Sequence, residues 1–177
     1  SMELTINPVA TVSAGVAQTI CAGSTATMAG SYGGGATSAI WSTSGTGSFS
    51  NNTPTAVYTP STADISAGSV TLTYTTNDPV GACGAATSSM VLTIDPSATA
   101  SAGGAQSICA GSSVALAGSY GGSATSASWS TNGSGSFNNI NSPTAVYTPS
   151  AADISAGSVT LTYTTNDPIN ACDPASA

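Results

Sequence analysis

The polypeptide has 177 residues, with no lysine, arginine or histidine and seven carboxylates, so its formal net charge is −7 at pH 7. The absence of histidine excludes a histidine general base, a Ser-His or Cys-His nucleophile pair and imidazole metal ligands. The absence of lysine and arginine excludes a P-loop lysine and a basic face for nucleic acid, and the negative charge opposes binding to anionic lipids. The composition therefore predicts a protein that is not an enzyme, uses no cofactor or metal, and binds no nucleic acid.

The apolar pattern is that of a folded, β-rich chain. Hydrophobic residues make up 40% of the chain and charged residues 4%, unlike the low hydrophobicity and high charge of disordered segments. The apolar runs are short and are interrupted by Gly, Pro, Asn and Ser, so none approaches the ~20 residues that span a bilayer. We therefore expect no membrane insertion.

The first predicted element is a strand in residues 1–8, where Met2, Leu4 and Ile6 alternate with polar residues. The same pattern recurs in residues 89–96 but not at the end of the chain. The chain is thus predicted to begin with the closing strand of a preceding repeat and to lack its own. Two interpretations remain open: a fragment of a longer array, and donor-strand exchange, in which Leu4 and Ile6 fill the open edge of another subunit.

The rest of the chain consists of two copies of one module. The predicted domains are residues 9–96 and residues 97–177, and a period near 88 residues fits one compact β-sandwich rather than one turn of a solenoid. The later copy contains one extra residue, so the offset changes from 88 to 89. The counterparts include Cys21 and Cys109, Trp41 and Trp129, Tyr58 and Tyr147, and Cys83 and Cys172.

Within a module, the pattern predicts strands. Val70, Leu72 and Tyr74 alternate with threonines, as Met90, Leu92 and Ile94 alternate with their neighbours, so each set is expected on one face of a strand. No window has sustained helical spacing. We expect an all-β fold of about seven strands per module. The tryptophans are expected to be core residues, because Ile40 and Ser128, beside Trp41 and Trp129, differ between the copies.

Several of these segments carry a resemblance to a known family. Residues 13–24, the Trp41 strand and the strands of residues 55–60 and 70–76 resemble PKD/Ig-like repeats. Such repeats occur in tandem in very large surface adhesins of Bacteroidetes-type bacteria, including gliding-motility adhesins. The resemblance implies two tandem Ig-like or PKD-like β-sandwich domains. The chain departs from the family at residues 33–36, which are Gly-Gly-Gly-Ala where typical PKD modules have an Asp-rich loop.

The four cysteines lie at matching positions in the two copies. Of the three possible pairings, the repeat favours Cys21–Cys83 with Cys109–Cys172, because each bond closes within one module; Cys83–Cys109, joining adjacent modules, is the alternative. Disulfides indicate an oxidising, extracellular setting.

Asp64 and Asp78, with their copies Asp153 and Asp167, are the candidate carboxylate sites. Two functional interpretations of these carboxylates are an acid/base pair and a contribution to a calcium site. The favoured interpretation is structural, because Asp64 precedes a predicted strand in a turn and Asp78 follows one in Asn-Asp-Pro.

These observations predict a structural module of an extracellular adhesin or surface filament, which extends a binding region from the cell. The expected partners are neighbouring repeats or copies of the chain, joined head-to-tail. A second hypothesis is a carbohydrate- or surface-binding module, in which threonine and serine ladders contact glycans. A third is a fibre subunit joined by donor-strand exchange.

Overall fold

A computed structural model of the chain describes residues 1–77, 79, 83–166 and 172–177. The chain divides into two compact units, Ser1–Asp95 and Pro96–Ala177. In both units, short strands separated by polar turns form several small sheets around a buried core. The fold is therefore all-β, a tandem of β-sandwich units, as the alternating pattern predicts.

The first unit contains a four-stranded sheet in the order β2-β9-β8-β5, a three-stranded sheet β3-β7-β6 and the pair β1-β4. Its elements are β1 (Ala10–Ser13), β2 (Gln18–Cys21), β3 (Ala26–Thr27), β4 (Ser31–Gly34), β5 (Ala39–Thr43), β6 (Ser48–Phe49), β7 (Val57–Thr59), α1 (Thr62–Ala67), β8 (Ser69–Thr76) and β9 (Thr87–Asp95). Strand β9 pairs antiparallel with β8 and parallel with β2, so it lies inside the largest sheet.

The side chains of β8 and β9 alternate as predicted. Val70, Leu72 and Tyr74 of β8 are buried, and so are the three apolar side chains that β9 directs to the same core, Met90, Leu92 and Ile94. Alternate positions face one side of a pleated strand, so these residues fill one core while Thr71, Thr73 and Thr75 of β8 lie on the other face.

The two tryptophans are core residues, which confirms their prediction. Trp41 is 6% exposed, whereas Ile40 beside it is 58% exposed. The indole ring of Trp41 stacks on Tyr74 with ring centroids 4.2 Å apart, and its Nε1 donates a hydrogen bond of 3.1 Å to the carbonyl oxygen of Thr53. Trp129 is 3% exposed in the second unit, and its ring lies against Tyr163 in a tilted arrangement with centroids 4.6 Å apart.

Two short helices, Thr62–Ala67 and Ala151–Ala156, occur although no window of the sequence has sustained helical spacing. Helix α1 begins after Ser61, whose side chain accepts a hydrogen bond from the backbone N–H of Asp64, while the Asp64 carboxylate accepts one from the backbone N–H of Ser61. This reciprocal capping box stabilises a helix start. Six residues are too few for an apolar period, which explains why periodicity did not reveal the helix.

The second unit repeats most of these elements but has no strand at residues 106–109, the counterpart of β2. Its elements are β10 (Thr99–Ser101), β11 (Val114–Ala115), β12 (Ser119–Gly121), β13 (Ala127–Thr131), β14 (Ser136–Phe137), β15 (Val146–Thr148), α2 (Ala151–Ala156) and β16 (Leu161–Thr165). Among the described residues, the sheet that corresponds to β2-β9-β8-β5 contains two strands, β13 and β16. No helix of the described residues is long and apolar enough to cross a membrane.

Candidate functional site

Each unit contains a buried aspartate that organises three segments. Both carboxylate oxygens of Asp64 accept hydrogen bonds, Oδ1 from the backbone N–H of Thr46 at 3.0 Å and Oδ2 from that of Gly47 at 2.8 Å. Oδ2 also accepts bonds from the Tyr58 hydroxyl at 2.8 Å and from the backbone N–H of Ser61 at 2.9 Å. Asp153 makes the corresponding contacts in the second unit.

The loop before β6 depends on glycine for this contact. A Cβ atom on Gly45 would lie 2.0 Å from Oδ1 of Asp64, and one on Gly133 would lie 2.4 Å from Oδ1 of Asp153. The glycine therefore lets the loop backbone approach the carboxylate closely enough to donate its N–H groups.

These hydrogen bonds control the pKa of the carboxylates. Burial by itself would raise the pKa of Asp64, but hydrogen bonds from Ser61, Thr46 and Tyr58 outweigh it and lower the pKa to about 2. For Asp153, the backbone hydrogen bond from Ser150 is the largest influence, and the pKa lies well below its usual range. A carboxylate that stays ionised and saturated with internal donors is neither a general acid nor an open metal ligand.

We expect acid to destabilise both units through these carboxylates. Their pKa is lower in the folded than in the unfolded chain, so their contribution to stability is complete above the unfolded pKa of about 3.9 and is lost as the pH falls toward the folded pKa. The urea midpoint should therefore decrease between about pH 4 and pH 2. Glu3→Gln, which removes an exposed carboxylate, is the control and should leave this decrease unchanged. A midpoint independent of pH over this interval would contradict the account.

The other two candidate carboxylates, Asp78 and Asp167, lie outside the described residues. In the part of the chain that the structure describes, no group of three or more cysteine or carboxylate side chains is placed to hold a metal ion. The turn predicted to begin at Asp64 is instead part of the short helix α1, and Asp64 lies in its first turn.

The predicted disulfides within each repeat are wrong in this structure. Cys83 and Cys109 are free thiols, while Cys21 and Cys172 are disulfide-bonded. Neither Cys21–Cys83 nor Cys109–Cys172 is formed, and the alternative Cys83–Cys109 is not formed either.

The position of the cysteines in the sandwich explains this result. Cys21 lies opposite Asp95, the last residue of β9, whereas Cys83 precedes the first residue of β9. The strand has nine residues, so at about 3.3 Å per residue its ends are ~26 Å apart. A disulfide needs Cα atoms within about 7 Å, so the two cysteines of one repeat, at opposite ends of the sandwich, are too far apart. Equal placement in the sequence did not reveal that separation.

The second unit contains a groove of about 570 Å³. Apolar side chains on its wall include Leu116, Trp129, Val159 and Leu161, and a further wall is the segment of residues 102–111. We call this feature the acceptor groove. Its position corresponds to that of β9 in the first unit, because Val159 and Leu161 on its wall are the counterparts of Val70 and Leu72, which pair with β9 there.

Equivalent side chains differ in burial around the acceptor groove. Val70 and Leu72 are 5% and 0% exposed in the first unit, where they pair with Leu92 and Met90 of β9. Their counterparts Val159 and Leu161 are only partly buried. Because the two sequences are nearly identical here, the difference comes from the neighbour that covers them.

The segment corresponding to β2 shows the same effect. Ile20 is 8% exposed and belongs to a strand that pairs with β9, whereas its counterpart Ile108 is 43% exposed and belongs to no strand. A short segment without a partner strand leaves its backbone donors and acceptors to water. Residues 106–109 therefore have the sequence of a strand but no partner in the described second unit.

The beginning of a closing strand is nevertheless present. Tyr163 exchanges two backbone hydrogen bonds with Ala177, and the N–H of Thr165 donates to the carbonyl oxygen of Ala175. Ala177 is the counterpart of Ser88 in β9. Among the described residues, β16 has no partner on this edge beyond Ala177, so the position equivalent to Ser89 is where the open part of the groove begins.

The predicted strand-exchange residues are on the surface. Leu4 is 74% exposed and Ile6 is 84% exposed, and Met2, which alternates with them, is 88% exposed. Residues 1–9 form no strand. These apolar side chains pack on neither core cluster of the chain, and the match between residues 1–8 and 89–96 was the signal that singled them out.

Comparisons with known proteins give little further information. No family model matches the chain, and no curated protein does. The chain is similar to "Protocadherin gammaB7 EC3-6 cis-dimer structure", with a TM-score of 0.43 and 13% identity over 92% of this chain and 43% of that chain. It is also similar to "Protocadherin Gamma B7 extracellular cadherin domains 1-4 P21 crystal form", with a TM-score of 0.40 and 12% identity over 96% of this chain and 48% of that chain. The chain spans less than half the length of either structure, and similarity at this level supports no conclusion about function.

Proposed function

We propose that the chain is a structural repeat module of an extracellular adhesin or surface filament, which holds a binding region away from the cell. The observation that carries this proposal is the structural role of the buried carboxylate in each unit. In the first unit, Asp64 joins a loop, a strand and a helix cap through its hydrogen bonds. Disulfide-bonded Cys21 and Cys172 support an oxidising setting outside the cell. An acidic chain without lysine or arginine suits a spacer, because it repels other acidic surfaces.

The test separates a spacer from a direct binder. Beads are coated with the chain alone, or with the chain fused to a reporter domain of known ligand, and both are applied to glycan-coated and reporter-ligand surfaces. We expect retention only where the reporter meets its ligand. Saturable retention of the chain alone on glycans would contradict the spacer and support the carbohydrate-binding alternative.

The acceptor groove favours a second, more specific candidate, a fibre subunit in which the first residues of one copy complete the second unit of another. In the first unit, Met90, Leu92 and Ile94 fill this position and are 4%, 0% and 1% exposed. Met2, Leu4 and Ile6 have the same spacing and the same three side chains. Each apolar side chain contributes ~1.5–3 kcal/mol if it becomes fully buried, and main-chain pairing adds specificity.

The register of the first unit specifies how the donated strand would lie. Gln18 is opposite Leu92 and Val70 is also opposite Leu92. Transferred to the second unit, these pairs place Leu4 between Gln106 and Val159. Ser1 would then take the place of Ser89, directly after the position of Ala177, so the donated strand and residues 175–177 would not overlap.

We expect association to depend on which face of the donated strand is apolar. Exchanging Glu3 and Leu4 keeps length and composition but turns the leucine to the solvent side, where Val91 is 48% exposed in β9. Light scattering at high concentration should show oligomers for the natural chain and a monomer for the exchanged chain and for a chain without residues 1–7. Equal masses for all three would contradict strand donation and leave the plain spacer in place.

A contact of this kind joins two different surfaces of the chain. It does not close on itself, so copies can be added without limit in one direction. The mass should therefore increase continuously with concentration rather than stop at a dimer.

A further inference from the structure

We propose that Cys109 of one copy forms a disulfide with Cys83 of a second copy, which locks the strand-donated joint covalently. This inference rests on the proposed strand donation and deepens it. It accounts for two thiols that are free in this structure although their counterparts in the other repeat are bonded.

On the acceptor side, the position of Cys109 follows from the first unit. Its counterpart Cys21 is the last residue of β2 and lies opposite Asp95 in the parallel pair with β9. In a donated strand, Asn7 is the residue equivalent to Asp95. Cys109 would therefore lie beside Asn7 of the donor copy.

On the donor side, the position of Cys83 is given directly by the first unit. The Sγ atom of Cys83 lies 3.6 Å from the carbonyl oxygen of Asn7 of its own chain. The residue that reaches Cys109 of the acceptor thus already contacts Cys83 of the donor. One short segment around Asn7 brings both thiols to the same place.

The internal repeat supplies an independent observation. Cys109 is the counterpart of Cys21 and Cys83 is the counterpart of Cys172, and both Cys21 and Cys172 are disulfide-bonded. The Sγ atom of Cys172 lies 3.7 Å from the carbonyl oxygen of Pro96, so it occupies the same end of its unit as Cys83 does. Cys109 is exposed and Cys83 is partly exposed, so both are accessible to a second copy.

The reaction is a two-electron oxidation. The two thiols lose two protons and two electrons and form one S–S bond, and a low-molecular-weight disulfide such as oxidised glutathione accepts them and is cleaved to two thiols. Such an acceptor is compatible with an oxidising extracellular setting.

Two single variants test the pairing. Cys83→Ser retains Cys109 as its free thiol, and Cys109→Ser retains Cys83. We expect their equimolar mixture, incubated with oxidised glutathione, to form at least tenfold more covalent dimer than either variant alone. Peptide mapping should identify the Cys109–Cys83 bond, and the natural chain should form a ladder of covalent oligomers. Equal amounts of dimer in the mixture and in each variant alone would overturn the proposal, because random encounter does not distinguish the two thiols.

A double variant separates this proposal from strand donation. The variant with both Cys83→Ser and Cys109→Ser has no free thiol and should still form non-covalent oligomers in light scattering. If it does, and the mixture of single variants yields no preferred heterodimer, the disulfide is refuted while strand donation stands. If it is monomeric and no heterodimer is preferred, both are refuted. Exchange of Glu3 and Leu4 in the Cys109→Ser partner should reduce the heterodimer to the level of the single variants.

Discussion

Replacement of Trp41 by alanine is expected to lower the free energy of unfolding of the first unit by about 3–5 kcal/mol. The indole is 6% exposed, stacks on Tyr74 and Phe49 and donates a hydrogen bond to Thr53. Alanine would leave a large cavity and remove one of the two hydrogen bonds that the Thr53 carbonyl oxygen accepts. Urea unfolding monitored by circular dichroism measures the change.

The matched control is Ile40→Ala on the same strand. Ile40 is 58% exposed, so its truncation should change the free energy of unfolding by less than about 1 kcal/mol. Similar losses for the two variants would mean that β5 does not direct Trp41 into the core.

Addition of a closing strand in cis is expected to stabilise the second unit by several kcal/mol. The extended chain carries Ser-Met-Val-Leu-Thr-Ile-Asp, the sequence of residues 89–95, directly after Ala177. Three apolar side chains would enter the acceptor groove, each worth ~1.5–3 kcal/mol before the entropy of ordering the strand is subtracted. Differential scanning calorimetry should show a higher Tm for the second unit and light scattering a loss of oligomers, because the groove is already filled.

A matched extension has aspartate in place of the leucine. It has the same length and should stabilise little, because a charge cannot enter the apolar groove without a large desolvation cost. Equal stabilisation by both extensions would show that the gain does not come from filling the groove.

Much of the fold follows from the sequence because its signals are local. The alternation of Val70, Leu72 and Tyr74 predicts a strand and its buried face, and the repeat transfers that prediction to the second unit. The burial of Trp41 follows from variation at Ile40. The similarity of residues 1–8 to residues 89–96 predicts a strand with the apolar pattern of β9, although sequence similarity alone does not reveal the groove.

Other features depend on contacts between distant segments. The roles of Gly45 and Gly47 appear only when Asp64 is placed against their loop, since nothing in a Gly-Thr-Gly sequence specifies a carboxylate partner. The Ser61-Thr-Ala-Asp64 sequence is a capping signal, which the alternation of apolar residues does not reveal. The error in the disulfides has the same origin, because the positions of Cys21 and Cys83 at opposite ends of the sandwich follow from the parallel pairing of β2 with β9.

Amide hydrogen exchange at residues 106–109 tests the central claim most directly. In the first unit, β2 is paired with β9, so the amides of residues 18–21 provide an internal reference for a closed sheet edge. If strand donation fills the acceptor groove, exchange at Ile108 and Cys109 should slow at least tenfold when the natural chain is concentrated, and should remain fast at every concentration in the chain without residues 1–7. Fast exchange at these amides in the concentrated natural chain would contradict the account, because the groove would then be empty.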